Sequence, residues 1–191
     1  MKEEKTVFYP YSSWLKQRYG EKVYKLPVNL PVSCPNRCDG HGGCTFCSEK
    51  GTGFESVWQP ASVTEQMQHA RDVVAKRYKA RKFIAYFQNY TNTFMAMELF
   101  KAYLEEAAAF PDVVEISVST RPDCIRTDYL ACLAELQERT HVGINIELGL
   151  QTANYHTLDR VHRGHGLAEY IDAVLAIKRY PFTVCTHLIA N

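Results

Sequence analysis

Short apolar runs alternate along the chain with longer stretches whose apolar residues recur at helical spacing. The first run covers 25–32, and its prolines suit an edge strand or a strand start rather than the middle of a ladder. A glycine-rich loop carrying four cysteines follows, to about Pro60. Ser62 and Glu65 have the spacing of a capping box, which predicts a helix over 62–79. Phe83-Ile84-Ala85-Tyr86-Phe87 reads as a second strand, and a helix over 96–110 is stopped by Pro111. Strands over 113–119, 144–150 and 183–189 alternate with helices over 128–139 and 167–180. Five strands joined by helical crossovers predict a parallel α/β sheet with right-handed connections. In such a sheet chemistry gathers at the carboxyl ends of the strands. Polar segments fall there: the cysteine loop, Gln88-Asn89-Tyr90-Thr91, Thr120-Arg121-Pro122-Asp123 and Gln151-Thr152.

Composition narrows the class. The chain has 191 residues, 46% hydrophobic and 23% charged, which fits one globular domain rather than disorder. A net charge of +1 argues against a large nucleic-acid footprint. No apolar run approaches the roughly 20 residues of a membrane span, so no membrane partner is expected. The charged start at Met1-Lys2-Glu3-Glu4-Lys5 lacks an apolar signal region, and a cytoplasmic location is the default expectation. The end at Asn191, just after a strand, suggests a partial chain, because such a sheet expects a further helix and strand.

The chemistry concentrates in Cys34-Pro35-Asn36-Arg37-Cys38-Asp39-Gly40-His41-Gly42-Gly43-Cys44-Thr45-Phe46-Cys47. Seven cysteines in all, four of them clustered, point to metal rather than to a disulfide framework. Thiolates suit iron–sulfur clusters, and the glycines let the backbone wrap closely. A four-thiolate zinc site using Cys38 is the alternative, with a short gap between its two pairs. A redox pair at Cys44 and Cys47 fits less well, since such pairs usually open a helix in a small redox fold.

The loop, with Phe46 just before the last cysteine, resembles that of radical S-adenosylmethionine (radical SAM) enzymes. The spacing Cys34-x9-Cys44-x2-Cys47 is similar to the elongator-like subgroup, which has a longer first gap. Arg18-Tyr19-Gly20-Glu21-Lys22-Val23-Tyr24-Lys25, Ala85-Tyr86-Phe87-Gln88, Thr120-Arg121-Pro122-Asp123-Cys124, Glu147-Leu148-Gly149-Leu150-Gln151-Thr152, Arg163-Gly164-His165 and His187-Leu188-Ile189 resemble the YhcC/YtqA-type branch. The likeness runs over roughly 14–191.

This resemblance implies a partial TIM-like (β/α)6 barrel of parallel strands, cut short after the fifth strand. It divides the chain into an N-terminal extension, 1–20, and a radical SAM core, 21–191. It implies a [4Fe–4S] cluster on Cys34, Cys44 and Cys47, with the fourth iron open to S-adenosylmethionine. Cys38 departs from the pattern, as a spare thiol or a competitor for the first ligand position. The implied reaction is reductive cleavage of the cofactor to a 5′-deoxyadenosyl radical that abstracts hydrogen from substrate. Phe46 is implied near the adenine, Gln151 at the ribose and Arg163 at the carboxylate, with Arg160 as its neighbouring alternative. The family's usual Gly-Gly-Glu segment is replaced by Gln88-Asn89-Tyr90, whose amide oxygens suit the cofactor ammonium. The substrate stays open between RNA, from the elongator-like resemblance, and a small molecule, from a partial likeness to oxygen-independent porphyrinogen oxidases. A low-potential donor such as flavodoxin or ferredoxin is the expected electron partner. A zinc-binding RNA-associated module without catalysis and an inactive fragment are the competing readings. Asp123 is read either as a helix cap or as part of the site, and His165 as ordering the turn after Arg163. The register of Glu147 is open.

Overall fold

The computed structural model describes residues 7–38, 40, 42–47 and 61–190. The predicted loop between Cys47 and about Pro60 therefore lies mostly outside the described residues, as do Asp39, His41, Asn191 and the charged start.

Helix α1 (Tyr11–Tyr19) precedes strand β1 (Val23–Val28). One turn of helix, α2 (Pro35–Cys38), lies inside the cysteine loop. Then come α3 (Val63–Tyr78), β2 (Lys82–Phe87), α4 (Met97–Ala108), β3 (Val113–Thr120), α5 (Thr127–Thr140) and β4 (Gly143–Gln151). Helices α6 (Tyr155–Arg160) and α7 (Leu167–Ile177) lead to β5 (Thr183–Leu188). The five strands are parallel and ordered β1-β2-β3-β4-β5. Unbroken sequential order with right-handed crossovers puts the helices on one face, which is the winding of a barrel rather than of a doubly wound sheet. β1 is an edge, so Pro27 is tolerated opposite Tyr86.

Alternation along each strand separates two faces. Leu26, Val28, Phe83, Ala85, Phe87, Ile116, Val118, Ile144, Ile146 and Leu148 point outward into the main core, where Met67, Phe100, Leu104, Leu133 and Ile177 of the helices meet them. The opposite face carries Lys25, Tyr86, Glu115, Ser117, Ser119, Asn145, Glu147 and His187, joined by hydrogen bonds and ion pairs. At the amino ends of the strands α1 covers this inner face. Leu15, Trp14 and Tyr19 pack on Val23 and Ile84, and the Tyr19 hydroxyl donates to Glu115 at 2.6 Å. This α1 helix was not among the predicted elements.

Most predicted elements appear within two residues of their expected bounds. The first strand differs more, starting at Val23 and ending at Val28 rather than spanning 25–32. The Gln66 side chain explains the early end: it accepts from the Asn29 N–H at 2.8 Å and donates to the Asn29 carbonyl at 3.0 Å, in place of a ladder partner. The capping box is present, with Glu65 accepting from the Ser62 N–H at 2.8 Å and Ser62 Oγ from the Glu65 N–H at 3.2 Å. The last helix stops at Ile177, short of 180.

Candidate cofactor site

The carboxyl ends of all five strands open on one cleft, with an empty volume of about 890 Å³ counting its mouth. Cys34, Cys44 and Cys47 line it on one side, together with Phe46, Gln88, Gln151 and Arg163. Asn89 does not line it: the residue is buried, and its Oδ1 has no hydrogen-bond partner among the described residues.

Local backbone geometry shapes the cysteine loop. The turn of α2 starts with the Arg37 N–H donating to the Cys34 carbonyl at 2.9 Å, and Cys47 N–H donates to the Cys44 carbonyl at 2.9 Å. Gly43, at φ 97°, brings the chain back so that its N–H reaches the Asn36 carbonyl at 3.1 Å. A Cβ there would press on the Arg37 side chain at 3.2 Å, and the positive φ favours glycine. The loop is also held from across the cleft. Thr45 N–H donates to the Val161 carbonyl at 3.1 Å, and Asn36 Nδ2 reaches the Arg163 carbonyl at 3.0 Å and Cys44 Sγ at 3.3 Å.

Two buried guanidinium groups face the sulfurs. Arg121 Nη1 lies 3.4 Å from Cys34 Sγ, and Arg163 Nη1 lies 3.6 Å from Cys44 Sγ. Arg121 is itself clamped by both oxygens of Asp123 at 2.9 and 2.7 Å. Asp123 thus meets the cleft only through Arg121, and no side chain caps α5. Burial works against the Arg121 charge, but Asp123 and Cys34 outweigh it and raise its pKa. The Cys47 thiol donates to the Cys44 sulfur. That bond, opposed by burial and aided by Arg163 and Asn36, lowers the Cys44 thiol, while the same bond and burial push Cys47 up. The pair therefore shares one proton, with Arg163 and Asn36 favouring the anion at Cys44.

The fourth cysteine is placed differently. Cys38 is exposed, lies 3.7 Å from Ser33 Oγ and does not line the cleft. Among the described residues no three His, Cys, Asp or Glu side chains converge on a single ion.

The rest of the cleft offers polar groups at stated positions. Gln151 ends β4 at φ 72°, beyond a register shift that follows Gly149, and its carbonyl accepts from Ile189 N–H at 2.9 Å. An uncommon backbone conformation for a non-glycine residue at a strand end turns the side chain toward the mouth. Arg163 Nη2 donates to the Gly149 carbonyl at 2.6 Å, while its buried Nε has no partner among the described residues. His165 orders the following turn through Nδ1 against the Gly166 carbonyl at 3.3 Å.

Several cleft residues were not foreseen as site residues: Arg37, Tyr90, Tyr86, Ser119 and His187. Glu147, whose register was open, faces inward and is almost completely buried. Its carboxylate takes Lys25 Nζ at 2.6 Å and His187 Nε2 at 2.9 Å. Burial opposes the Glu147 charge, but His187 and Lys25 outweigh it and hold the group at about 2. Hydrogen bonds to Cys185 and Glu147 raise His187 to about 9. The signal for these residues was strand alternation: Asn145, Glu147, Gly149 and Gln151 interleave with Ile144, Ile146, Leu148 and Leu150.

A sequentially ordered parallel half-barrel with a thiol-rich loop at its carboxyl end is the architecture of the radical SAM fold. The model of the Radical SAM superfamily matches residues 29–190, and the chain belongs to that superfamily. Over 178 residues it is 38% identical to the uncharacterised protein YtqA of Bacillus subtilis, covering 92% of this chain and 54% of that one. It is equally 38% identical to the protein YhcC of Escherichia coli over 179 residues, 93% of this chain and 56% of the other. The chain thus spans about half the length of these relatives. A solved structure of the cobalamin-dependent S-adenosylmethionine radical enzyme OxsB, with aqua-cobalamin bound, superposes with a TM-score of 0.52 at 15% identity, covering 85% of this chain and 23% of that one. At that identity the likeness concerns the fold. Among the described residues no helix is long and apolar enough to cross a membrane.

Proposed function

We propose that the protein holds a [4Fe–4S] cluster on Cys34, Cys44 and Cys47 and binds S-adenosylmethionine against it. The observation that carries this reading is the meeting of three thiols in one cleft, two of them faced by buried arginines, with Cys38 excluded. A cluster held by Cys34, Cys44 and Cys47 would supply one-electron chemistry for reductive cleavage of S-adenosylmethionine bound beside it. The protein's residues bind, orient and exclude water.

Arg121 and Arg163 stabilise the charge of the thiolates, and Asn36 fixes Cys44 relative to the turn at Arg163. The Nε of Arg163, without a partner among the described residues, suits the cofactor carboxylate, while Gln151 at the end of β4 and Gln88 after β2 suit its ribose and ammonium. Phe46, with its ring 40% exposed beside Cys47, offers a face to the adenine. Asn89 lies off the cleft and takes no part. A low-potential flavodoxin or ferredoxin would deliver the electron, in the cytoplasm. A four-thiolate zinc site would need Cys38 in the cleft, so the geometry favours the cluster.

Anaerobic reconstitution tests this directly. The expected product carries about four irons and matching sulfide per chain and shows iron–sulfur charge-transfer absorbance. Addition of dithionite and S-adenosylmethionine is then expected to release 5′-deoxyadenosine. One zinc per chain, with no iron retained, would overturn the reading.

A further inference from the structure

Each nitrogen of the Arg121 guanidinium has a partner. Nε and Nη2 donate to the two oxygens of Asp123 at 2.9 and 2.7 Å, and Nη1 lies 3.4 Å from Cys34 Sγ. The side chain is only 3% exposed. The backbone beneath it is held as well. Thr120 ends β3, and its hydroxyl lies 2.6 Å from that of Thr93. Thr93 Oγ1 also donates to the Cys124 carbonyl at 2.8 Å, while the Cys124 N–H closes the turn on the Arg121 carbonyl at 3.1 Å. Gly164 fits against the guanidinium, where an added Cβ would come within 3.0 Å of Nη2. Arg121 therefore cannot swing out to a ligand without breaking a buried ion pair.

The pair is neutral as a whole but ordered in space. Its cation faces the sulfur, and its anion binds the other edge of the guanidinium. A ligand sulfur shares the negative charge that a cluster gains on reduction, and a cation or N–H donor at that sulfur stabilises the gain. Burial strengthens the effect, because little water screens it. Arg163 also faces a thiol, but its Nη2 is engaged by the Gly149 carbonyl and its Nε is assigned to the cofactor carboxylate. Arg121 has no such second assignment, and its one contact toward the cysteine loop is Cys34.

We propose that Arg121, oriented by Asp123, acts through Cys34 to raise the reduction potential of the cluster, and that Asp123 limits the rise. This deepens the proposed function and rests on its assignment of Cys34 as a ligand. Both are positioning residues, since neither touches the reacting atoms. Together they fix how strong a one-electron donor the protein needs.

The test is a redox titration of the anaerobically reconstituted whole chain, followed by electron paramagnetic resonance, with iron measured on each sample. Arg121→Met removes both charge and donor, and is expected to disfavour reduction about tenfold, a fall of about 59 mV for one electron. Asp123→Asn is expected to raise the potential, because its amide oxygen still accepts from the guanidinium while the opposing charge is gone. Arg126→Gln alters a surface pair whose arginine side chain is 64% exposed, and is expected to leave the potential unchanged. An unmoved potential in Arg121→Met, a shift in Asp123→Asn that is absent or of the same sign, or an equal shift in Arg126→Gln would each overturn the proposal. A merely structural role would lower the iron content and leave the potential of the retained clusters where it was. If Arg121→Met holds no iron, the sign of the Asp123→Asn shift decides alone. Iron retained by the wild type without these shifts sinks this inference only. A wild type that holds no iron sinks the cluster reading and this inference with it.

Discussion

Replacing Glu147 by Gln removes the negative charge on which Lys25 and His187 converge, at nearly constant volume. The size of the effect follows from the site. Glu147 is held at about 2 against an ordinary 4.5, a difference that corresponds to about 3 kcal/mol of stability at neutral pH. Lys25 and His187 keep 31% and 44% of their side-chain surface exposed, so solvent offsets part of their loss. The expected destabilisation is about 2–3 kcal/mol.

Its pH dependence has a definite sign on each side. Glu147 is depressed, so its contribution is complete above 4.5 and fades as pH falls toward about 2. His187 is raised, so its contribution is complete below 6.5 and fades as pH rises through about 9. The two shifts share the His187–Glu147 contact, with Cys185 adding to the His187 shift and Lys25 to the Glu147 shift, and are not summed. The difference between wild type and Glu147→Gln should therefore be greatest between 4.5 and 6.5 and shrink on either side. Denaturant unfolding at about pH 5.5, and again at about 3.5 and 9.5, reads it directly. A loss below about 0.5 kcal/mol at the central pH, or one that does not change with pH, would refute the reasoning.

The thiols make a sharper qualitative contrast: after reconstitution, Cys34→Ser, Cys44→Ser and Cys47→Ser should each lose most of the iron, and Cys38→Ser should retain it. Iron analysis of the four variants checks this, and iron loss in Cys38→Ser would move the first ligand. Gly164→Ala should destabilise by about 1–3 kcal/mol, because the backbone is at φ 75° and the added Cβ would lie 2.4 Å from Asn36 Oδ1. It should also lower iron retention, since Asn36 supports Cys44; thermal melting and iron content measure the two effects. Ser62→Ala removes one half of the capping box and should cost about 1 kcal/mol, read by unfolding, with iron content unchanged.

Much of the fold was legible because its two signals, strand runs and helical spacing, are local. The capping pair Ser62 and Glu65 marked a helix start that the structure reproduces. The first strand was displaced because its end depends on Gln66, which is distant in sequence and captures the Asn29 backbone. Helix α1 was missed because its apolar contact with the sheet is small. Only Leu15 is buried, and Trp14 and Tyr19 reach the sheet from the helix sides. At the site, the cysteines stood out by their clustering, and Gln151 and Arg163 through the family resemblance. Arg121 needed the structure, since its contact with Cys34 spans 87 positions. Asn89, next to Gln88, is buried and does not line the cleft.

The inner residues were harder to read than their chemistry warrants, and the reason is architectural. A closed barrel usually fills its interior with branched apolar side chains, so polar residues on a strand suggest a solvent face. Here the outward positions of β4 are Ile144, Ile146, Leu148 and Leu150, and the inward ones are Asn145, Glu147, Gly149 and Gln151. The same alternation would describe a sheet half exposed to water. What separates the two cases is pairing across strands: Lys25, Ser119 and His187 all arrive at one carboxylate from β1, β3 and β5. A solvent face has no need of such convergence, because water satisfies each group separately. The apolar layer that stabilises the sheet lies between strands and helices, leaving the inner face free to carry charge. Lys25 and Glu147 are nearly a whole domain apart in sequence, yet their pairing organises the side of the cleft opposite the thiols.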